Sequence, residues 1–265
     1  FATVTSGDVK MRKFNRAFLA VVGTVFGFKV MKIPGVEFAG VVEDTGPGVT
    51  GFKKGDSVVG TTTGLSYGAN AEYVCVPEHA KMCVIVHKPE GLDPKKAVAS
   101  IVGGMTALQL LNKARVQAGD SVLVYGASGS VGSFGVQLAK HHGAQVTAVC
   151  STANQDLAVS IGADNTIDYK TEDFRKNGHR YDVIFDAVGT LRKSDCVSSM
   201  TESGRWASVR ALTSEKTAEL EYIQQLVASG EIDPVIDREF SLDQVAEAHR
   251  YVETGRKKGN VVVRL

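Results

Sequence analysis

Very little in this sequence is concentrated. Its four cysteines, Cys75, Cys83, Cys150 and Cys196, form no CxxC pair. That excludes a dense disulfide framework and the common zinc knuckles, and it leads to the expectation of reduced thiols in a cytoplasmic setting. Each cysteine reads as a small buried hydrophobe. Charge of one sign is missing too: the formal net charge is +1, with Lys and Arg scattered along the chain. No electrostatic footprint for a nucleic-acid backbone is present, so no nucleic-acid partner is expected. No apolar run reaches the roughly 18 residues that a membrane span needs. The longest, "AFLAVVGTVFGF", is shorter and interrupted by glycine, so no membrane partner is expected either. Repeats and low-complexity tracts are also absent. What remains is a chain of 265 residues, 43% of them hydrophobic, enough for one large domain or two ordinary ones.

From residue 1 to about 90 the text is rich in Val, Gly and Thr, and its short runs "GVEFAGVVEDTG", "DSVVGTTTG" and "AEYVCVP" predict strands separated by turns. "PKKAVASIVGGMTALQLLNKA" has helical spacing, with Asp93 as N-cap and Pro94 at the first helical position. The rhythm then becomes strand, helix, strand: "SVLVYG", "SVGSFGVQLAKHHG", "QVTAVC", "NQDLAVSIG", "NTIDY", "YDVIFDAVG". Such alternation predicts a parallel sheet with helices on both faces, and the near-continuous apolar runs "SVLV" and "DVIF" suit strands buried on both sides. After the strand-like "ESGRWASV" a helix begins almost at once, leaving little chain for another strand. The last thirty residues mix a strand "PVIDREF", a helix "SLDQVAEAHRYVETG" and a final strand "GNVVVRL".

Between strand and helix lies "YGASGSVG", in which Ala127, Gly129 and Gly132 meet the spacing G-x-G-x-x-G with alanine in the first place. A dinucleotide pyrophosphate needs backbone N–H groups free of obstruction and the positive end of a helix. Gly129 would permit that approach, and Gly132 would let the helix pack closely on the sheet. Ala127, Ser128, Gly129, Ser130, Val131 and Gly132 are the candidate cradle. Roughly 20 residues on, an acid at the end of the second strand would select NAD through the ribose 2′-hydroxyl. Ser151 stands there instead, with Thr152 and Asn154 as further possible donors to a 2′-phosphate. NADPH is therefore expected ahead of NADH, on a missing acid more than on a present base.

The order of "GVEFAGVVEDTGPGVTGFKKGDSVVG", "GGMTALQLL", "VLVYGASGSVG" and "DPVIDREFSLDQVAEAHRYVETGRKKGNVVVRL" resembles the medium-chain dehydrogenase/reductases, and within them the zinc-independent quinone oxidoreductase branch that includes zeta-crystallin. The resemblance covers nearly the whole chain. It implies an α/β protein in which a doubly wound Rossmann sheet, residues 93–233, is inserted into a GroES-like β-rich catalytic domain, residues 1–92 and 234–265. It also implies further chain before Phe1 and additional sheet near Val209 to Ala211, and a homodimer joined through sheet edges.

In the zinc alcohol dehydrogenases of the same fold, the catalytic metal ligands would fall at Thr5, Val36 and Val102, none of which is a metal ligand here. The branch's usual "VNPxD" reads "VTSGD", so a hydroxyl replaces an amide at Thr5. The resemblance makes Thr5 and Tyr67 the candidate proton donors, Tyr67 through a loop that lines the family's substrate pocket. It places Thr106 on the cofactor-facing helix, Tyr169 near the adenosine phosphate, Ala187 and Val188 on the adenine side, and Asn260 near the cofactor from the C-terminal strand. None of the six histidines shows ligand spacing, and none is assigned to catalysis. Without a metal, the bound cofactor carries the hydride and the protein positions it. A quinone or another α,β-unsaturated carbonyl is the expected acceptor. An enal or enoyl-thioester reductase, and a non-catalytic NADPH-binding protein, are the alternatives.

Overall fold

The computed structural model describes residues 1–13, 33–62, 68–79 and 83–265, which cluster into two compact units. The first unit comprises Phe1–Val102, Ser214–Ser229 and Ile236–Leu265, and the second Gly103–Thr213 and Gly230–Val235.

The chain enters through strand β1 (Ala2–Thr3) and helix α1 (Ser6–Lys13), then β2 (Glu37–Val41), β3 (Ser57–Thr61) and β4 (Ile85–His87). The expected strand "AEYVCVP" does not form: residues 72–77 carry no strand. Its alternation is real, because Val74 and Val76 pack on the core, but it has no ladder partner among the described residues. Cys75 consequently points out and is exposed, unlike the buried Cys83, Cys150 and Cys196.

The long helical pattern after Asp93 resolves into α2 (Pro94–Ala99) and α3 (Ile101–Lys113). Asp93 caps the first through Lys95 N–H, with Pro94 at its start, as its sequence predicts. Ser100 separates the two. Its hydroxyl donates to Ala97 O at 2.8 Å, and Gln224 Nε2 donates to Ser100 Oγ at 2.8 Å and to Ala97 O at 3.1 Å. A buried amide thus satisfies the carbonyl that the helix end leaves open.

The second unit then alternates β5 (Ser121–Tyr125), α4 (Ser130–His141), β6 (Gln145–Cys150), α5 (Gln155–Ser160), β7 (Asn165–Asp168), β8 (Tyr181–Asp186) and β9 (Met200–Ser208). These strands form one parallel sheet in the order β7-β6-β5-β8-β9. Val122, Leu123 and Val124 of β5 are fully buried, which is why that strand reads as an unbroken apolar run. Each such side chain contributes about 1.5–3 kcal/mol by leaving water. No strand stands between β9 and the next element, α6 (Thr217–Ala228).

Strand β10 (Ile236–Ser241), helix α7 (Val245–Glu253) and β11 (Asn260–Arg264) complete the first unit. Its six-stranded sheet runs β10-β11-β1-β2-β3-β4, so both ends of the chain share one sheet through the pairs Ala2↔Val263 and Thr3↔Val262. Phe38, Val58, Phe240, Val252, Val261 and Val263 form its core. The expected architecture, a doubly wound parallel sheet inserted into a β-rich unit, is the one observed.

Candidate functional site

The loop between β5 and α4 is built by backbone geometry. Gly126 has φ of +83°, and a Cβ there would lie 2.3 Å from Val188 Cγ2. Gly126 and Ala127 N–H both donate to Val149 O, at 2.9 and 3.1 Å, and Gly129 N–H donates to Gly126 O at 3.1 Å. A Cβ on Gly132 would lie 2.1 Å from Gly126 O, so this glycine lets α4 rise against its own turn. The close approach of helix to sheet comes one turn later, at Gly135, where a Cβ would meet Phe185 at 2.6 Å. Gly129 differs: it is the N-cap of α4, has φ of −81° and offers no side-chain cap, and the nearest atom to an added Cβ is 3.5 Å away. Its open side is where a ligand's oxygens can meet the first-turn N–H groups of the helix.

Several predicted residues converge on this loop. Asn154 Nδ2 donates to Ser128 Oγ at 3.0 Å. Val188, half-exposed, covers Gly126. Its turn is fixed by Asp186, a fully buried carboxylate that the sequence reading passed over, which accepts from Val188 N–H at 3.1 Å, Gly189 N–H at 2.8 Å and Leu191 N–H at 3.2 Å. An aspartate ending an apolar strand before "AVG" is the signal that could have found it. Ala187 N–H pairs with Tyr125 O at 2.9 Å. On α3, Gly103 approaches Ser130 closely enough that a Cβ would lie 2.4 Å from Ser130 Oγ. Thr106, nearly one turn on, is partly exposed.

At the end of β6, Ser151 is partly exposed and Thr152 exposed. The Thr152 hydroxyl donates to Asp168, the last residue of β7, which pairs with Cys150. An acid does stand beside this place, supplied by the neighbouring strand and invisible to a count along the chain. Tyr169 follows it, 52% exposed.

The first unit holds a different arrangement. Thr5 precedes α1 and Asp8 lies in its first turn. Asp8 N–H donates to Thr5 Oγ1 at 3.1 Å, while Thr5 N–H and Thr5 Oγ1 donate to Asp8 Oδ2 at 2.8 and 2.6 Å. This is a reciprocal capping arrangement, so the hydroxyl proton of Thr5 already has an acceptor. Asp8 also accepts from Gly35 N–H at 3.2 Å. Burial raises its pKa, against the pull of those bonds and of His249. His249, on α7, is buried with neither ring nitrogen paired, and burial lowers its pKa. Glu37, equally buried, accepts from the Thr3 hydroxyl and from Val102 N–H at 2.6 Å. Burial pushes its pKa up to about 7. Burial also lowers that of Lys257, against the pull of Glu37. Asn260 is buried at the start of β11. Tyr67 lies outside the described residues.

The places equivalent to a catalytic zinc site offer a hydroxyl already bonded to Asp8 and two valines, Val36 and Val102. Among the described residues no three His, Cys, Asp or Glu side chains come together as a metal site. The donor set does not fit zinc. No helix among the described residues is long and apolar enough to cross a membrane.

A parallel nucleotide-type sheet set into a β-rich unit defines the class of the medium-chain dehydrogenase/reductases. Residues 1–89 match the alcohol dehydrogenase GroES-like domain, and residues 161–215 and 201–263 match the family described as zinc-binding dehydrogenase. The chain is 33% identical over 250 residues to the NADPH-dependent alkenal/one oxidoreductase, chloroplastic, of Arabidopsis thaliana, covering 87% of this chain and 63% of that protein. It is 31% identical over 264 residues to the chloroplast envelope quinone oxidoreductase homolog of the same plant, covering 87% of this chain and 79% of that protein. The solved structure of the quinone oxidoreductase from Coxiella burnetii superposes with a TM-score of 0.82 at 27% identity, covering 100% of this chain and 88% of that one. The chain belongs to the quinone oxidoreductase branch of the medium-chain dehydrogenase/reductase family.

Proposed function

We propose that this chain is an oxidoreductase that binds a nicotinamide dinucleotide, NADPH ahead of NADH, and reduces a quinone or another α,β-unsaturated carbonyl without zinc. The carrying observation is the N-terminus of α4, where Gly129 leaves the first turn without a side-chain cap and open on its outer side. Residues 93–233 form the cofactor domain in this reading, and residues 1–92 and 234–265 the substrate domain. Ala127 to Gly132 would hold the pyrophosphate, with Thr106, Ser151, Thr152, Asn154, Tyr169, Ala187, Val188 and Asn260 around the rest of the nucleotide. The bound cofactor supplies the hydride. Relatives named as an alkenal/one oxidoreductase and a quinone oxidoreductase homolog support the substrate class, and Ser151 in place of an acid supports NADPH.

The chain's own part is position and a proton. Asp186 fixes the turn that carries Ala187 and Val188. Thr5 and Tyr67 remain the proposed donors to a reduced substrate oxygen. For Thr5 the supporting feature is its bond to Asp8 at 2.6 Å, a carboxyl standing behind the hydroxyl whose pKa is raised by burial. That same bond occupies the Thr5 hydroxyl, which favours a non-catalytic NADPH-binding protein as second reading. Reduction of enals or enoyl thioesters is the variant within the first. A cytoplasmic homodimer completes the proposal, supported by free cysteines and by the family likeness.

The test is a titration with NADPH by fluorescence quenching, followed by assays of NADPH oxidation with a quinone, an enal and an enoyl thioester. Binding with turnover of one of these supports the enzyme. Binding without any turnover supports the second reading, and no binding overturns both.

A further inference from the structure

The carboxyl end of β6 is where a Rossmann sheet tells its two nicotinamide dinucleotides apart, and here the fold supplies something that the chain order does not. Of the three polar residues that follow β6, two already have partners. Thr152 donates its hydroxyl to Asp168, and Asn154 donates to Ser128 Oγ at 3.0 Å. The Ser151 carbonyl accepts from Asn154 N–H at 2.8 Å, while its hydroxyl has no partner among the described residues. No Lys or Arg occurs from His141 to Tyr169.

Asp168 itself is well defined. As the last residue of β7 it sits level with Cys150 in the parallel pairing. Its Oδ1 accepts from Lys170 N–H at 2.9 Å, and its Oδ2 accepts from Thr152. The Thr152 hydroxyl, and next the Lys170 N–H, hold its pKa below the ordinary carboxylate value, so it is ionised at neutral pH. A carboxylate retains lone pairs after two such bonds and can accept a ribose hydroxyl. Beside a 2′-phosphate it would set like charges close together, with only Lys170 near enough in sequence to offset them.

We propose that Asp168 is the specificity-determining residue for the nucleotide: its carboxylate accepts a ribose hydroxyl of NADH and opposes the 2′-phosphate of NADPH, so the advantage that Ser151 gives NADPH is held small. The proposal rests on the reading of "YGASGSVG" as a dinucleotide cradle.

Asp168→Asn is nearly isosteric. Its carbonyl oxygen can keep the Lys170 N–H, and its amide can donate to the Thr152 hydroxyl oxygen, so the turn persists without the charge. Asp168→Glu does the reverse, keeping the charge while shifting the geometry of the turn. Dissociation constants for NADPH and NADH, measured by calorimetry on the wild type and both variants at one ionic strength, decide the matter. The expected result is a preference for NADPH of less than about tenfold in the wild type, rising at least about tenfold in Asp168→Asn and hardly moving in Asp168→Glu. An unchanged ratio in a folded Asp168→Asn that binds both nucleotides would overturn this inference alone. An equal shift in Asp168→Glu would also overturn it, because loop geometry and not charge would then be responsible. Failure of the wild type to bind either nucleotide would overturn the cradle reading and this inference together.

Discussion

The two units treat their polar side chains in opposite ways. In the parallel-sheet unit the candidate site is made of backbone: glycines at 126, 129 and 132, a helix N-terminus, and small side chains bonded to each other around it. In the other unit the polar groups are sunk into the core, where Asp8, Glu37 and His249 are nearly inaccessible and burial dominates their protonation. The first arrangement is open toward a ligand. The second stores titratable groups away from water, which is costly unless each is paired or neutral. The contrast separates an open loop built of backbone from an interior in which titratable groups are kept from water.

The comparison can be broken most forcefully at Gly132. With a Cβ 2.1 Å from Gly126 O, Gly132→Ala should cost about 3 kcal/mol in a urea titration and abolish nucleotide binding. Next comes Glu37→Gln, which probes the buried unit. Because the folded carboxyl has its pKa raised from 4.5 to about 7, the folded state keeps a proton that the unfolded state has released. Its contribution is full below pH 4.5 and is lost as pH rises through 7. Stability of the wild type, relative to Glu37→Gln, should therefore fall across that window by about 3 kcal/mol, measured by urea midpoints at a series of pH values. A flat difference would remove Glu37 from the account.

Thr5→Val should be milder, about 1 kcal/mol for the lost cap, with Thr5→Ser restoring stability. If Thr5 also donates a proton, Thr5→Val should lower kcat by far more than that stability change explains. Smallest of all is Glu253→Gln. It removes exposed ion pairs with Arg12 at 2.6 Å and Lys13 at 2.8 Å and should leave the unfolding midpoint unmoved.

What could be read in advance follows the same division. The cradle is local: strand, glycines and helix are neighbours in the chain, so spacing and apolar runs carried them. Glu37 meets Thr3 and Val102, which lie 34 and 65 residues away, and no periodicity announces such a meeting. Asp168 was hidden for a related reason, because its place beside Cys150 is set by pairing between strands. The run "AEYVCVP" misled in the other direction, since alternating burial on a core looks the same in sequence whether or not a ladder partner is present. The Thr5–Asp8 cap was visible in "TSGD", where a threonine stands three residues before an acid, but the family pattern drew attention to the missing asparagine instead.

The central claim is that the open side of Gly129 is where the dinucleotide lies. Gly129→Ala tests it with least disturbance, since φ is −81° and the new methyl would meet nothing nearer than 3.5 Å within the protein. Calorimetric titration with NADPH should show an affinity at least about tenfold weaker at an unchanged unfolding midpoint. An unchanged affinity would contradict the account.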